Sequence, residues 1–380
     1  MSSATRTRAG STALLALIIF CSPPLAAQTA GISPEEAERR AFASRDPDES
    51  HRWLKIAAEA GLRDAQWLLG EDYVRGSTSA GKDVDLGIEW LRKAALQGSA
   101  HAQSMMGWVH VKGIGVKPDF AEAVKWFTAA ARQEDAYALL MLSEAYYHGT
   151  GVTQDRTRSK RLMLRAAELG NQAALRATWR TLLLGNPEDR DVRLGMHFLT
   201  KGANAHDATS AYTLGREYLT GRDVPRDNTR AVLWLERAAK DKHALASLWL
   251  SELHAKGLGV PQDRARAEKM LQAALRSAEI RDKNLFSWAL AVTPDEQLRN
   301  SALAIRVLEP ALATEKERQP AYLDTLAAAY AEHGQFDKAV ATQVEAIETQ
   351  QRTRPGRMTK DMEERLALYR AGKTYREEML

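Results

Sequence analysis

Residues able to do chemistry are sparse in this sequence, and they form no recognisable catalytic or metal-binding pattern. The chain has one cysteine, Cys21, and nine histidines. No histidine stands at a metal-ligand spacing from a cysteine or from paired carboxylates. A Gly-x-Ser-x-Gly elbow, which would expose a serine nucleophile, is missing as well. The histidines are His51, His101, His110, His148, His197, His206, His243, His254 and His333. The sequence therefore predicts no metal, cofactor or catalytic residue.

Three Gly-x-Gly tripeptides could be read as loops that cradle a phosphate. They lie at Gly113–Gly115, Gly149–Gly151 and Gly257–Gly259. A phosphate-binding fingerprint follows a strand and opens a helix. Here the tripeptides recur at a fixed phase and follow segments of helical pattern, which favours turns that end helices.

A unit of about 36 residues is written six times between residues 64 and 279. Its landmark is an aromatic or large apolar residue inside an Ala-rich segment. An apolar residue usually follows the landmark, and a small residue comes four positions after it. A period without drift is typical of stacked supersecondary units. The landmarks of the six units, which we expect in the core, are Trp90, Trp126, Leu162, Phe198, Trp234 and Met270. Trp53 supplies the same landmark in the N-terminal cap, without a complete repeat before it.

Each unit is predicted to contain two helices, as in Ala102 to Lys112 and Ala121 to Arg132. A glycine ends the first helix, and aspartate or proline begins the second. One such pair cannot bury its own apolar face, so neighbouring pairs must stack. His110 and His254 occupy a first-helix position that holds tyrosine in other units, which favours packing over catalysis.

This pattern resembles the SEL-1-like repeat, a relative of the tetratricopeptide repeat (TPR). The shared features are Ala-x-x-x-Leu-Gly-x-x-Tyr-x-x-Gly, then Gly-Val-x-x-Asp, then Ala-x-x-Trp-Leu-x-x-Ala-Ala. Ala208 to Gly221 with Pro225 to Ala239 carry it well, as do Ala102 to Gly113 with Val116 to Ala131. The resemblance implies an all-α fold, an α-α superhelix of the SEL-1-like and TPR right-handed solenoid type.

The fourth unit departs most from the pattern. It has Trp179 where glycine is usual, and Gly185-Asn186-Pro187 replaces the Gly-x-Gly-Val turn. We expect the local curvature to change there.

Residues 1–27 look like a secretory signal peptide. Arg6 and Arg8 precede a short apolar run, and Leu25-Ala26-Ala27 offers a cleavage site. The run is shorter than the roughly 20 residues that a membrane-spanning helix needs. Lipid attachment at Cys21 is an alternative, although Phe20 stands where a small residue is normal.

Cleavage would leave 51 basic and 49 acidic residues, because Arg6 and Arg8 would be lost from a total of 53 basic residues. This balance offers no clustered basic charge for nucleic acid. The expected segments are a linker and capping helices at 28–63, six SEL-1-like repeats at 64–279, a degenerate helical repeat at 280–318, a TPR unit at 319–351, and a linker and C-terminal helix at 352–380. The TPR helices are expected to meet through Leu326, Ala327, Tyr330, Ala339 and Ala346.

In TPR-like solenoids the first helix of each pair lines a concave groove, so the resemblance allows groove positions to be assigned by phase. Arg176, Arg180 and Arg216 would form a basic centre suited to a carboxylate of a peptide or an acidic sugar. Aromatic side chains would flank this centre and serve as anchors. The expected binding residues are Trp67, Glu71, Trp108, Lys112, Glu144, His148, Arg176, Arg180, Tyr212, Arg216, Glu252 and Lys256.

The resemblance implies a non-enzymatic, exported scaffold or adaptor that binds a protein or peptide in this groove. A periplasmic cell-envelope or polysaccharide-export assembly is the implied setting, and secretion from the cell is an alternative. We expect no nucleic acid, no membrane span and no metal. A different class of function is a binder or hydrolase of peptidoglycan or β-lactam ligands. Secreted SEL-1-like proteins of that class carry paired cysteines in each repeat, whereas this chain has only Cys21.

Overall fold

The computed structural model describes residues 31–313, 316, 318–354 and 359–377. Within these ranges the chain forms 19 α-helices and two short 3-10 helices, without a strand, which confirms the predicted all-α class. No helix of this described part is long and apolar enough to cross a membrane. The predicted signal peptide, Cys21 and residues 355–358 of the predicted linker lie outside the described residues.

The chain divides into two compact units, at residues 1–133 and 134–380. The described part of the first unit contains six helices: α1 (Pro34–Ala43), α2 (Pro47–Glu59), α3 (Arg63–Arg75), α4 (Val84–Leu96), α5 (Ala100–Lys112) and α6 (Phe120–Ala131).

The second unit contains the remaining described helices, in pairs and then a C-terminal group. They are α7 (Ala136–His148), α8 (Arg156–Glu168), α9 (Gln172–Leu184), α10 (Val192–Asn204), α11 (Ala208–Thr220), α12 (Asn228–Lys240), α13 (Ala244–Lys256), α14 (Arg264–Ser277), α15 (Ile280–Val292), α16 (Ser301–Leu308), α17 (Pro320–Glu332), α18 (Phe336–Thr353) and α19 (Lys360–Arg370). The 3-10 helices are Pro187–Asp189 and Pro310–Leu312.

An aspartate begins the second helix of every repeat pair. Its side chain accepts a hydrogen bond from the backbone N–H three residues later, which satisfies one of the free donors at the helix start. The aspartates are Asp83, Asp119, Asp155, Asp191, Asp227 and Asp263.

A left-handed glycine ends five of the six first helices. Gly76, Gly113, Gly149, Gly221 and Gly257 have φ between 66° and 72°. This conformation suits glycine because it lacks a Cβ. In the fourth pair, Gly185 after α9 is extended instead, at φ −77° and ψ −167°, and the 3-10 helix follows. The local backbone therefore changes at the unit whose sequence departs most.

In three pairs a first-helix glycine packs closely against the residue after the landmark. A Cβ added to Gly107 would lie 2.6 Å from the Phe127 ring, and one on Gly215 would lie 2.8 Å from Leu235 Cγ. Phe127 and Leu235 are buried for this reason.

The landmark tryptophans themselves are less buried than their expected core position requires. Trp53 is buried, but Trp90, Trp126 and Trp234 are partly exposed. Lys93 Nζ lies 3.9 Å from the centre of the Trp90 ring, and the Arg237 guanidinium lies 4.5 Å from that of Trp234. These rings sit at the rim of the core because the next residue in the chain occupies its centre, facing the glycine.

The three C-terminal helices, α17, α18 and α19, pack against one another. The five residues expected to join α17 and α18 are all buried: Leu326, Ala327, Tyr330, Ala339 and Ala346. Arg365 of α19 forms two hydrogen bonds to Asp324 of α17, from Nε at 2.9 Å and from Nη2 at 2.7 Å. Gln343 of α18 donates to the same carboxylate at 2.7 Å. One buried aspartate thus holds three helices together.

Candidate functional site

Four of the expected binding residues lie in the first unit, on α3 and α5. Trp67 is partly exposed, and its ring lies 4.7 Å from that of His101 on α5, centre to centre. Glu71 accepts from Arg75 on its own helix at 2.7 Å. Trp108 is partly buried against the core around α5, whereas Lys112 is exposed. The two tryptophans therefore combine packing with a partly accessible ring.

In the second unit, α7 and α9 carry four more of these residues, and all four are exposed: Glu144, His148, Arg176 and Arg180. Arg176 is already engaged, because its Nη1 lies 3.0 Å from Asp207 Oδ1. Arg180 has no hydrogen-bond or ion-pair partner among the described residues. Of the expected basic centre, Arg180 is therefore the side chain best placed to meet a new carboxylate.

Tyr212 on α11 forms a stack with His243, the residue that begins α13. Their ring centres are 4.5 Å apart and the planes differ by 15°. Burial raises the pKa of Tyr212 and lowers the pKa of His243, even though Asp282 and Asp207 near the histidine oppose the second shift. Both rings are therefore neutral at physiological pH, and both side chains are partly exposed.

Arg216 belongs to a buried cluster of charges at the end of α11. Its Nη2 lies 3.8 Å from Oε1 of Glu217, which also accepts from Arg222. Asp223 pairs with Arg190 and Arg222. Burial raises the pKa of Glu217, while Arg222 and Arg216 lower it. Arg216 therefore stabilises a buried carboxylate, so its charge is largely balanced within the protein.

Glu252 and Lys256 on α13 join parts of the fold. Glu252 is 2% exposed, and its Oε1 lies 2.9 Å from both Lys256 Nζ and Asn300 Nδ2. Lys256 also donates to the carbonyl oxygens of Gln297 and Arg299. These contacts hold α13 to the segment that precedes α16, which is a structural role.

The described residues offer little that resembles a catalytic centre. No three of their His, Cys, Asp and Glu side chains lie close enough to hold a metal ion. Ser301 Oγ and His333 Nδ1 are 3.2 Å apart, but the pair is exposed and no described carboxylate orients the other ring nitrogen. Ser79 and Lys82 have the Ser-x-x-Lys spacing. Two residues three positions apart lie on the same face only when they belong to a helix. Ser79 and Lys82 lie in the loop between α3 and α4.

A cavity that the sequence did not predict lies among α7, α8, α9 and residues 186–189. Its volume is about 280 Å³, and Met163, Leu164, Leu182 and Thr178 form part of its lining. Thr178 is the residue from which this cavity could have been predicted. The equivalent position of every other unit holds a large apolar residue: Leu69, Met106, Leu142, Leu214 and Leu250.

Comparison with known proteins identifies the repeat. The model of the Sel1 repeat family matches residues 39–62, 63–99, 100–135, 136–171, 208–243 and 244–277. The matches include part of the expected N-terminal cap and omit the divergent fourth unit, 172–207. No protein with a curated description matches the chain significantly.

Two solved structures share the fold. One is a protective antigen of uropathogenic Escherichia coli that displays an SLR fold; it is 22% identical, with a TM-score of 0.65, over 92% of this chain and 78% of that one. The other is a Sel1 repeat protein from Oxalobacter formigenes, 29% identical, with a TM-score of 0.54, over 65% of this chain and 100% of that one. Since the family model covers more than half of the sequence, this chain belongs to the Sel1 repeat family, an α-α superhelical fold whose members generally act as non-catalytic scaffolds for protein interactions.

Proposed function

We propose that this protein is a non-enzymatic, exported scaffold that binds a protein or peptide through the first helices of its repeats. The observation that carries the proposal is the pair Glu144 and Arg180. They occupy the same phase of consecutive units and are exposed, on helices whose other faces are buried. A charged side chain that packing does not require is free to serve recognition, and arginine is a frequent anchor of binding surfaces.

The partner we propose carries a carboxylate opposite Arg180, because a guanidinium can form two parallel hydrogen bonds to that group. An acidic peptide segment or a peptide C-terminus supplies this chemistry. The proposed setting is the periplasm, within a cell-envelope or polysaccharide-export assembly. The basic start, short apolar run and Leu25-Ala26-Ala27 site of the N-terminal sequence support export.

The proposal is tested by placing a photo-crosslinking residue at position 180, at position 144 or at position 161. Arg161 is an exposed arginine on the second helix α8 and serves as the matched control. We expect the same partner to crosslink from positions 180 and 144 in the envelope fraction, and not from position 161. Equal crosslinking from all three positions would contradict the proposal.

A substitution then measures the contribution of the guanidinium. Arg180→Ala should weaken binding of the crosslinked partner by about tenfold, equivalent to about 1.4 kcal/mol, and leave the melting temperature unchanged. Arg161→Ala should change neither quantity. Arg176 and Arg216 are unsuitable for this test, because they pair with Asp207 and Glu217 and their loss would also disturb the fold.

A further inference from the structure

The cavity among α7, α8, α9 and residues 186–189 coincides with a change in residue size at one phase of the repeat. Thr178 is buried, at 4% exposure, in a position where the other five units bury leucine or methionine. The smaller side chain leaves space next to Met163. Met163 is in turn partly exposed, although the equivalent residues Leu91, Phe127, Leu199, Leu235 and Leu271 are all buried.

One residue of the lining has a buried polar atom that no described residue satisfies. Thr178 Oγ1 has no hydrogen-bond partner among the described residues. The other buried hydroxyls of the lining are engaged, since Ser143 Oγ donates to the Ser159 carbonyl at 2.9 Å and lies 3.1 Å from Ser159 Oγ. A buried hydroxyl without a partner costs about 1–3 kcal/mol. A ligand that reaches Thr178 would remove this penalty.

The rim of the cavity carries an aromatic ring and balanced charges. The Arg156 guanidinium lies 5.5 Å from the centre of the Tyr147 ring. Lys160 pairs with Asp189 at 3.2 Å, and Glu188 completes a rim with two cations and two anions. This balance selects neither a phosphate nor a free carboxylate. An uncharged group with a flat apolar body fits both the rim and the apolar wall.

We infer that this cavity is a binding pocket for the side chain of a tyrosine presented by a partner peptide. The inference rests on the proposed function, from which it takes the peptide. The ring would lie against Met163, Leu164 and Leu182, and the phenol hydroxyl would reach Thr178 Oγ1, which can donate or accept. A volume of about 280 Å³ is close to the lower end of the range for ligand pockets, about 300 Å³, and suits one large side chain.

The first test titrates the protein with N-acetyl-tyrosinamide and follows the methyl NMR signal of Met163. We expect a shift of that signal with a dissociation constant on the order of 1 mM. N-acetyl-phenylalaninamide should bind about tenfold more weakly, because it leaves the threonine hydroxyl unpaired. Absence of a Met163 shift, or equal binding of the two amides, would overturn the inference.

Two variants separate the contribution of the Thr178 hydroxyl to binding from the contribution of the cavity volume. Thr178→Val keeps the shape and removes the hydroxyl, so it should lose the preference for the tyrosine amide and bind it no more tightly than the phenylalanine amide. Thr178→Leu restores the residue type of the other units and should abolish binding of both. Unchanged discrimination in Thr178→Val, or binding by Thr178→Leu equal to wild type, would contradict the assignment.

A third arm distinguishes the possible sources of the phenol. The peptide Gly-Gly-Tyr-Gly-Gly should bind at least as well as the amide if the ligand is part of a chain, and failure of the peptide alone would overturn the peptide source. These titrations do not depend on crosslinking at position 180. The pocket and the proposed function can therefore fail separately.

Discussion

Thr178 shows how one side chain of a repeat can differ from its counterparts without changing the fold. Its helix, α9, has the same length as the other first helices, and the neighbouring residues Leu175 and Leu182 are buried. Compared with leucine, threonine reduces the local volume and adds a hydroxyl group. Its effect on stability can therefore be measured at this position alone.

Thr178→Leu should raise the melting temperature, because it fills a cavity and removes an unpaired buried hydroxyl. The reverse change at the same phase of the next unit, Leu214→Thr, should destabilise the protein by about 2–4 kcal/mol through loss of apolar burial and creation of a cavity. Thermal unfolding of the two variants beside the wild type checks both signs. A fall in stability for Thr178→Leu would mean that the space is too small for leucine.

His254 should make stability depend on pH. It is 4% exposed, neither ring nitrogen has a hydrogen-bond partner among the described residues, and burial lowers its pKa below 6.5. Arg266 lowers this pKa further, whereas Glu236 and Asp263 raise it. The unfolded chain therefore binds more protons below pH 6.5, and the free energy of unfolding falls as the pH decreases from 6.5 towards the folded-state pKa.

His254→Leu should reduce the loss of stability between pH 7 and pH 5, as measured by chemical denaturation at each pH. Some dependence should remain, since His243 also has a lowered pKa. The exposed His197 provides the control, and His197→Gln should leave the slope unchanged. An identical slope in His254→Leu and wild type would contradict the assignment.

Residue types at helix ends could be predicted from the sequence, whereas ion pairs could not. An N-cap aspartate acts on the backbone three residues away, so its effect is local and readable. Glu252 was expected to face a partner, but its acceptor oxygen is used by Asn300, which is 48 positions away along the chain. Nothing in the local pattern specifies that contact.

At the scale of helices, one buried ion pair joins α19 to α17. The side chains of Arg365 and Asp324 are 12% and 10% exposed, and removing one partner leaves the other charge buried. Asp324→Ala should therefore destabilise the C-terminal helices by about 3–5 kcal/mol. Hydrogen exchange should show α19 opening before α11 and α12.

The matched control for this variant is Glu364→Ala on the exposed face of α19. Glu364 lies 3.7 Å from Lys360, in a pair whose two side chains are mostly exposed. Its loss should cost less than about 1 kcal/mol. Equal protection of α19 in Asp324→Ala and wild type would show that apolar contacts alone hold the helix.

The order of helices could be predicted well, and the facing of individual side chains less well. A fixed period identifies equivalent positions, so Ala102 to Lys112 was assigned within two residues of α5. The period does not say whether the landmark or the residue after it packs against the glycine of the paired helix. For that reason Trp90 and Trp234 were assigned to the core, whereas Leu91 and Leu235 occupy it.

For the molecule as a whole, the export proposal predicts a defined mature N-terminus. The purified envelope protein should begin at Gln28, after cleavage behind Ala27, and mass spectrometry of the intact chain checks this. Cys21→Ser should then leave both processing and release unchanged. A lipid mass attached to residue 21, or an uncleaved chain, would contradict the prediction.

The set of expected binding residues could be assigned only from their position within the repeat unit. That position alone does not determine what a residue does. Glu144 and Arg180 share a phase with Arg216 and Glu252, yet the first two are exposed and the last two contribute to internal charge networks. Stacked repeats share their stability with neighbours. Each unit can therefore use the same position either for cohesion or for recognition.

The backbone at the end of α9 limits how such a chain can change its number of copies. Five first helices end at a glycine with the same left-handed backbone conformation. A deletion from one of these glycines to the next would remove a whole unit and rejoin the chain in an equivalent backbone geometry. The extended Gly185 offers no such match. The fourth pair, whose first helix ends at Gly185, therefore lacks the equivalent joint that would let it be removed or duplicated alone in this way.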